Sequence, residues 1–153
     1  MEGLEKLLAI EEIRTLVVRY SQYRDGLHLD ELANLFASDG VCAFGPHFGG
    51  DVVGRTAIRR HFEGSKHIGG GAPFGTLHAI STHWIEFTGP DTAEGRCYLT
   101  DFVMEAGASP LKYIILYDDD YARIDGRWLF RRRALQMVWP EQNATARLLG
   151  AAP

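Results

Sequence analysis

The chain has 153 residues, 46% of them apolar, and a formal net charge of −4. That length suits one domain with a sizeable core. The acidic balance argues against a nucleic-acid partner, which calls for a basic face, and no apolar run is long enough to span a bilayer.

The N-terminal stretch MEGLEKLLAIEEIR mixes charges into its apolar positions. It reads as a helix and not as a signal peptide, which needs a basic start and an unbroken apolar core. Leu4, Leu7, Leu8, Ile13, Leu16, Val17, Tyr20 and Tyr23 recur at helical spacing, and Asp25-Gly26 supplies a stop in which Gly26 takes the left-handed conformation. A second helix is expected from Asp30 as N-cap, carrying Leu32, Leu35 and Phe36 on one side, with Ser38-Asp39-Gly40 as its break. Val41 to Phe44 is a short strand. GPHFGGD is a loop, and Thr56 caps a third short helix containing Ile58 and Phe62. The glycine-rich segment 66–75 is expected as a lid or rim.

From Thr76 the pattern becomes strand-like. Runs at about 76–88, 93–105, 111–124 and 127–139 are separated by GPDT, AGASP and Asp125-Gly126, the last a strong hairpin signal. Helices first and a meander of long antiparallel strands second make an α+β pattern, with helices on one face of a curved sheet. The expected organisation is one domain over 1–140 and a C-terminal tail over 141–153. Cys42 and Cys97 are the only cysteines, each inside an apolar run. They favour buried thiols in a reduced, cytoplasmic protein, with a single disulfide as the alternative.

The last hairpin carries Asp118-Asp119-Asp120 and Arg131-Arg132-Arg133. Counting outward from Asp125-Gly126 sets Asp120 against Arg131, Asp119 against Arg132 and Asp118 against Arg133, so opposite charges pair across the strands. Alternation still leaves one arginine able to face the interior.

His78 opens the first long strand. By alternation it shares a face with Ile80, Thr82 and Trp84, and His83 falls on the other. One strand therefore cannot bring both histidines to one metal, and His28, His47, His61 and His67 show no ligand spacing. No metal site is expected. Asp25 ends the first helix, and Tyr20 continues its apolar stripe.

These segments in this order resemble the NTF2-like superfamily, and within it the SnoaL-like group of small lyases, dehydratases and isomerases. The matching stretches are YSQYRDG, LFASDGV, the GRTAI helix, TLHAIST, EGRCYLTDF and YDDDYARIDGRW. The resemblance implies a cone of helices on a curved, mostly antiparallel sheet that encloses a pocket. It implies an Asp25–His78 dyad working without a cofactor, Tyr20 as a hydrogen-bonding or acid partner, and Asp101 as a second carboxylate. Tyr23, Phe44, Trp84, Met137 and Trp139 are candidates for the pocket wall. A functional arginine that one group member carries on its last strand aligns with Met137, which argues against an anionic substrate. The expected activity is elimination from, or a proton shift in, a small hydrophobic, cyclic or aromatic molecule. A non-catalytic ligand-binding or dimerisation module is the alternative. An apolar outer sheet face made of Tyr98, Phe102, Tyr113 and Tyr117 would pair two copies into a homodimer.

Overall fold

The computed structural model describes residues 3–45, 49–64, 75–104 and 110–140. Three helices, α1 (Gly3–Asp25), α2 (Leu29–Ala33) and α3 (Arg55–Gly64), pack on one face of a six-stranded sheet. Its strands are β1 (Phe36–Ala43), β2 (Asp51–Val53), β3 (Gly75–Phe87), β4 (Thr92–Met104), β5 (Leu111–Ile124) and β6 (Arg127–Pro140), in the order β2-β1-β6-β5-β4-β3. All neighbours run antiparallel except β1 and β6, which run side by side in one direction. The fold is the α+β cone expected, with the sheet unclosed.

Alternation makes the two faces. Along β4, Ala93, Gly95, Cys97 and Leu99 turn inward, while Glu94, Arg96 and Tyr98 turn outward. The inward residues meet Ile13, Leu16, Val17 and Tyr20 of α1, Leu32 of α2, and Ile58 and Phe62 of α3 in one core. Burying each large apolar side chain contributes about 1.5–3 kcal/mol. Leu4, Leu7 and Leu8 lie on the first turns of α1 and stay exposed, so the buried stripe begins only at Ala9.

Several local expectations are corrected. Gly26 does not supply the left-handed residue at the end of α1. Leu27 does, with φ 57°, while Gly26 makes room, since a Cβ there would come within 2.7 Å of the His28 ring. Helix α2 starts at Leu29 after His28, and Phe36 and Ser38-Asp39-Gly40 belong to β1, where a register shift absorbs them. Thr56 lies inside α3 and not at its cap. The strand β2 was not anticipated.

Three further bulges shift the expected faces. Thr82 takes φ 44° and breaks the β3–β4 register between Ser81 and His83. The extra residue turns His83 to the inner face with His78, and turns Trp84 outward, 50% exposed. In the last hairpin the shift falls at Arg131, so Asp120 pairs with Arg132, Asp119 with Arg133 and Asp118 with Ala134. A third shift sets Met137 beside Ile115, inward, and Trp139 beside Ile114, outward and 49% exposed. Tyr113 and Tyr117 face inward, so the outer face keeps Tyr98 and Phe102 but not those two tyrosines. Both cysteines are free and buried. No helix among the described residues is long and apolar enough to cross a membrane. Most of 66–75 and all of 141–153 lie outside the described residues, Gly75 already being part of β3.

Candidate active site

Asp25 is the last residue of α1, and that helix end abuts the first turns of β3. Its carboxylate receives three donors from β3: Thr76 Oγ1 at 2.9 Å, the backbone N–H of His78 at 2.9 Å, and the His78 ring through Nδ1 at 2.6 Å. Burial pushes the Asp25 carboxyl up, but these hydrogen bonds outweigh it and hold the group below the usual carboxylate range. An ionised Asp25 only accepts, so His78 carries its hydrogen on Nδ1 and leaves the Nε2 lone pair free. The His78 side chain is 7% exposed. The ring is thereby oriented, and its second nitrogen is available as a base.

Asp101 stands opposite His78 in the β3–β4 ladder, and its Oδ1 lies 3.9 Å from His78 Nδ1. That oxygen is buried and has no hydrogen-bond partner. Burial raises the Asp101 carboxyl, the charge of Asp25 adds to the rise, and His78 and Arg24 oppose it. Two carboxylates thus flank one imidazole with their acidities driven apart, Asp25 down and Asp101 up.

Tyr20 is buried and touches the His78 ring edge-on at 6.5 Å between centroids. Its hydroxyl is engaged with Tyr117 and Cys42, not with His78. Tyr23 and Met137 are partly buried against the core, and Phe44 is buried with its ring stacked on His61 at 4.2 Å. Trp84 and Trp139 belong to the outer face and do not line this interior. Among the described residues no group of three or more His, Cys, Asp or Glu side chains is arranged to hold a metal ion.

Arg133 is the interior residue that the sequence did not single out. It is fully buried, with its guanidinium 4.1 Å from the Tyr20 ring centre, 3.8 Å from that of Tyr117 and 4.6 Å from that of Phe130. Such cation–π contacts are strongest where water is excluded. Its Nε lies 3.4 Å from Asp119 Oδ1, and its Nη2 donates to Cys97 Sγ at 3.3 Å. Nε and Nη1 have no hydrogen-bond partner. Burial disfavours the charge, but Asp119 restores it and keeps the guanidinium protonated. The Tyr20 ring is therefore the layer between His78 and a buried cation with unused donors. The signal for Arg133 was present in the alternating arginines of β6, but the bulge decides which of them turns inward.

The SnoaL-like domain family matches residues 5–134. Among solved structures, a scytalone dehydratase-like protein of Novosphingobium aromaticivorans superposes with a TM-score of 0.76 at 26% identity, over 88% of this chain and 87% of that one. A hexachlorocyclohexane dehydrochlorinase of LinA type 3 from Novosphingobium barchaimii gives 0.78 at 17%, over 91% and 92%. ActVI-ORFA of Streptomyces coelicolor gives 0.73 at 18%, over 85% and 97%. The last two likenesses show a common fold. Comparison with curated proteins gives no match. With the family pattern running from the first turns of α1 into β6, on a fold shared with dehydratase- and lyase-type proteins, the chain belongs to the SnoaL-like domain family.

Proposed function

We propose that the chain is a cofactor-independent lyase of the dehydratase type, or an isomerase, in which His78 removes a proton from a carbon acid. The observation that carries this is the 2.6 Å contact between Asp25 Oδ1 and His78 Nδ1, which fixes the tautomer with Nε2 as the free base. In this reading Nε2 takes the proton, and Asp25 stabilises the imidazolium that forms. Asp101 has the raised pKa and the unpartnered oxygen that suit a donor to a departing hydroxyl. Arg133 offers uncommitted N–H groups to the negative charge that develops inside the cone. Tyr20 separates and positions these two ends.

The substrate is a small hydrophobic, cyclic or aromatic molecule with a hydroxyl or other leaving group. Tyr23, Phe44 and Met137 supply apolar wall on the inner side. We also propose that two copies associate through the end of the outer sheet face where Leu77, Phe102, Ile114 and Trp139 gather. A single-chain mass by light scattering would overturn that part.

The test is turnover of a panel of hydroxylated aromatic, steroid and polyketide compounds, pre-selected by thermal shift, with His78→Ala and Asp25→Asn assayed beside the wild type. Loss of turnover with binding retained supports the dyad. Near-normal turnover in either variant refutes it. Tight binding with no turnover in the wild type would make the chain a ligand-binding module.

A further inference from the structure

The inner surface of the sheet holds a second hydrogen-bonded chain, apart from Asp25 and His78. His83 Nε2 lies 3.1 Å from the Tyr121 hydroxyl, and that hydroxyl donates to Asp119 Oδ2 at 2.9 Å. Asp119 is in turn the counter-ion of Arg133. Two features of the sheet build this chain. The bulge at Thr82 turns His83 inward. Gly95 of β4, which stands opposite Asp119 in the ladder, leaves room for the Tyr121 ring. A Cβ at Gly95 would lie 2.9 Å from Tyr121 Cε2 and 2.8 Å from the Trp84 carbonyl oxygen. The His83 end of the chain is only half-buried and reaches solvent, whereas the Asp119 side chain at the other end is fully buried.

Counting hydrogens fixes the direction of the bonds. A tyrosine hydroxyl has one hydrogen to give, and Tyr121 gives it to Asp119. The imidazole must then donate to the Tyr121 oxygen, so His83 is the neutral Nε2–H tautomer with its lone pair on Nδ1. Burial, with Arg133 and Arg14 of α1 nearby, pushes His83 down to about 4, in keeping with a neutral ring. Burial pushes Asp119 up to about 6, with Asp118 and Asp120 adding to the rise and Arg133 and Tyr121 opposing it.

We propose that His83, Tyr121 and Asp119 form a proton wire that loads and unloads Asp119 from solvent at the half-buried His83 ring, and that the polarity of the wire reverses in doing so. A proton arriving at His83 Nδ1 sends the Nε2 hydrogen to the Tyr121 oxygen, and the Tyr121 hydrogen passes to Asp119 Oδ2. One proton enters and one carboxylate is neutralised. His83 and Tyr121 both end neutral, with His83 now the Nδ1–H tautomer accepting from Tyr121. Release runs the same steps backwards. The titratable groups on the inner side near Asp119 are Arg133 from β6, Cys97 from β4, Cys42 from β1 and Tyr121 from β5, while Asp118 and Asp120 act on it through their charge from the other face. Those facing His83 are Tyr121, Arg133 and Arg14. Arg133 keeps an ionised partner only while the wire points toward Asp119. The consequence for turnover rests on the proposed role of Arg133: the field around its guanidinium is then set by a proton that enters at the His83 end of the wire.

The test is nitrogen-15 NMR of histidine-labelled full-length protein without substrate, from pH 5 to 8, with His83→Gln used to assign the ring signals. The expected result is Nε2–H at high pH and Nδ1–H at low pH, with a midpoint matching the carbon-13 titration of the Asp119 carboxyl. Tyr121→Phe removes the tautomer change while Asp119 still titrates. A single His83 tautomer throughout the range in the wild type, or a Phe variant that still switches, overturns the proposal. No substrate is involved, so a failure of the elimination assay leaves this measurement standing, and an unswitched His83 leaves the elimination reading standing.

Discussion

Asp25 does two jobs at once, and its substitutions separate them. Its carboxylate closes the end of α1 against β3 through three donors, and one of those donors is the ring it orients. His78→Ala is expected to lower kcat/KM by about 10²–10⁴-fold with little loss of stability, measured on the substrate identified by thermal shift. Asp25→Asn is expected to cost activity on the same scale, and stability as well, because an amide accepts through only one oxygen. The carboxyl is lowered in the folded state, so the stability it contributes is present above its unfolded value and is lost as pH falls through its folded one. Asp119 has the opposite sign. Its carboxyl is raised to about 6, so its contribution is present below the unfolded value near 4 and is lost as pH rises through about 6. Urea titrations at a series of pH values are expected to show that slope in the wild type and its absence in Asp119→Asn.

At the scale of the elements, bulges decide which side chains share a chamber. Thr82 is a β-branched residue held at φ 44°, a conformation that costs an L-residue roughly 1–2 kcal/mol. Thr82→Gly relieves that strain and is expected to stabilise the fold by about 0.5–1 kcal/mol after glycine's greater freedom in the unfolded chain is deducted; denaturant midpoints measure it. Gly95→Ala forces a Cβ against a backbone oxygen and the Tyr121 ring, and is expected to cost about 1–3 kcal/mol, with the His83 signals displaced. These positions also mark the limit of what the sequence makes legible. The strands themselves are plain from β-rich runs and from Asp125-Gly126, and Asp25 and His78 are picked out by the resemblance of YSQYRDG and TLHAIST to the family pattern. Trp84 and the Asp–Arg pairing of the last hairpin are assigned by counting along the strands, and such a count fails at an inserted residue that composition does not reveal. The same inserted residue brings His83 inside. Phe36 is misplaced for a different reason: Leu32, Leu35 and Phe36 have helical spacing, but the pairing of β1 with β6 overrides that local preference.

For the molecule as a whole, the cone is closed by its most distant partners. Strands β3 to β6 are joined in sequence by local connections, whereas α1 docks on β3 through Asp25 and His78, which are 53 residues apart in the chain. β1 has a local neighbour in β2 on one edge, but its other edge pairs with the far end of the chain, Phe36 beside Phe130 and Cys42 beside Arg133. The β1–β6 edge thus forms through the contacts of greatest sequence separation in the sheet, and contacts over such a distance form slowly. Pulse-labelled hydrogen exchange during refolding is therefore expected to protect the β1 amides that bond to β6 last, after those of the β5–β6 hairpin, so that this seam is the last part of the sheet to be zipped.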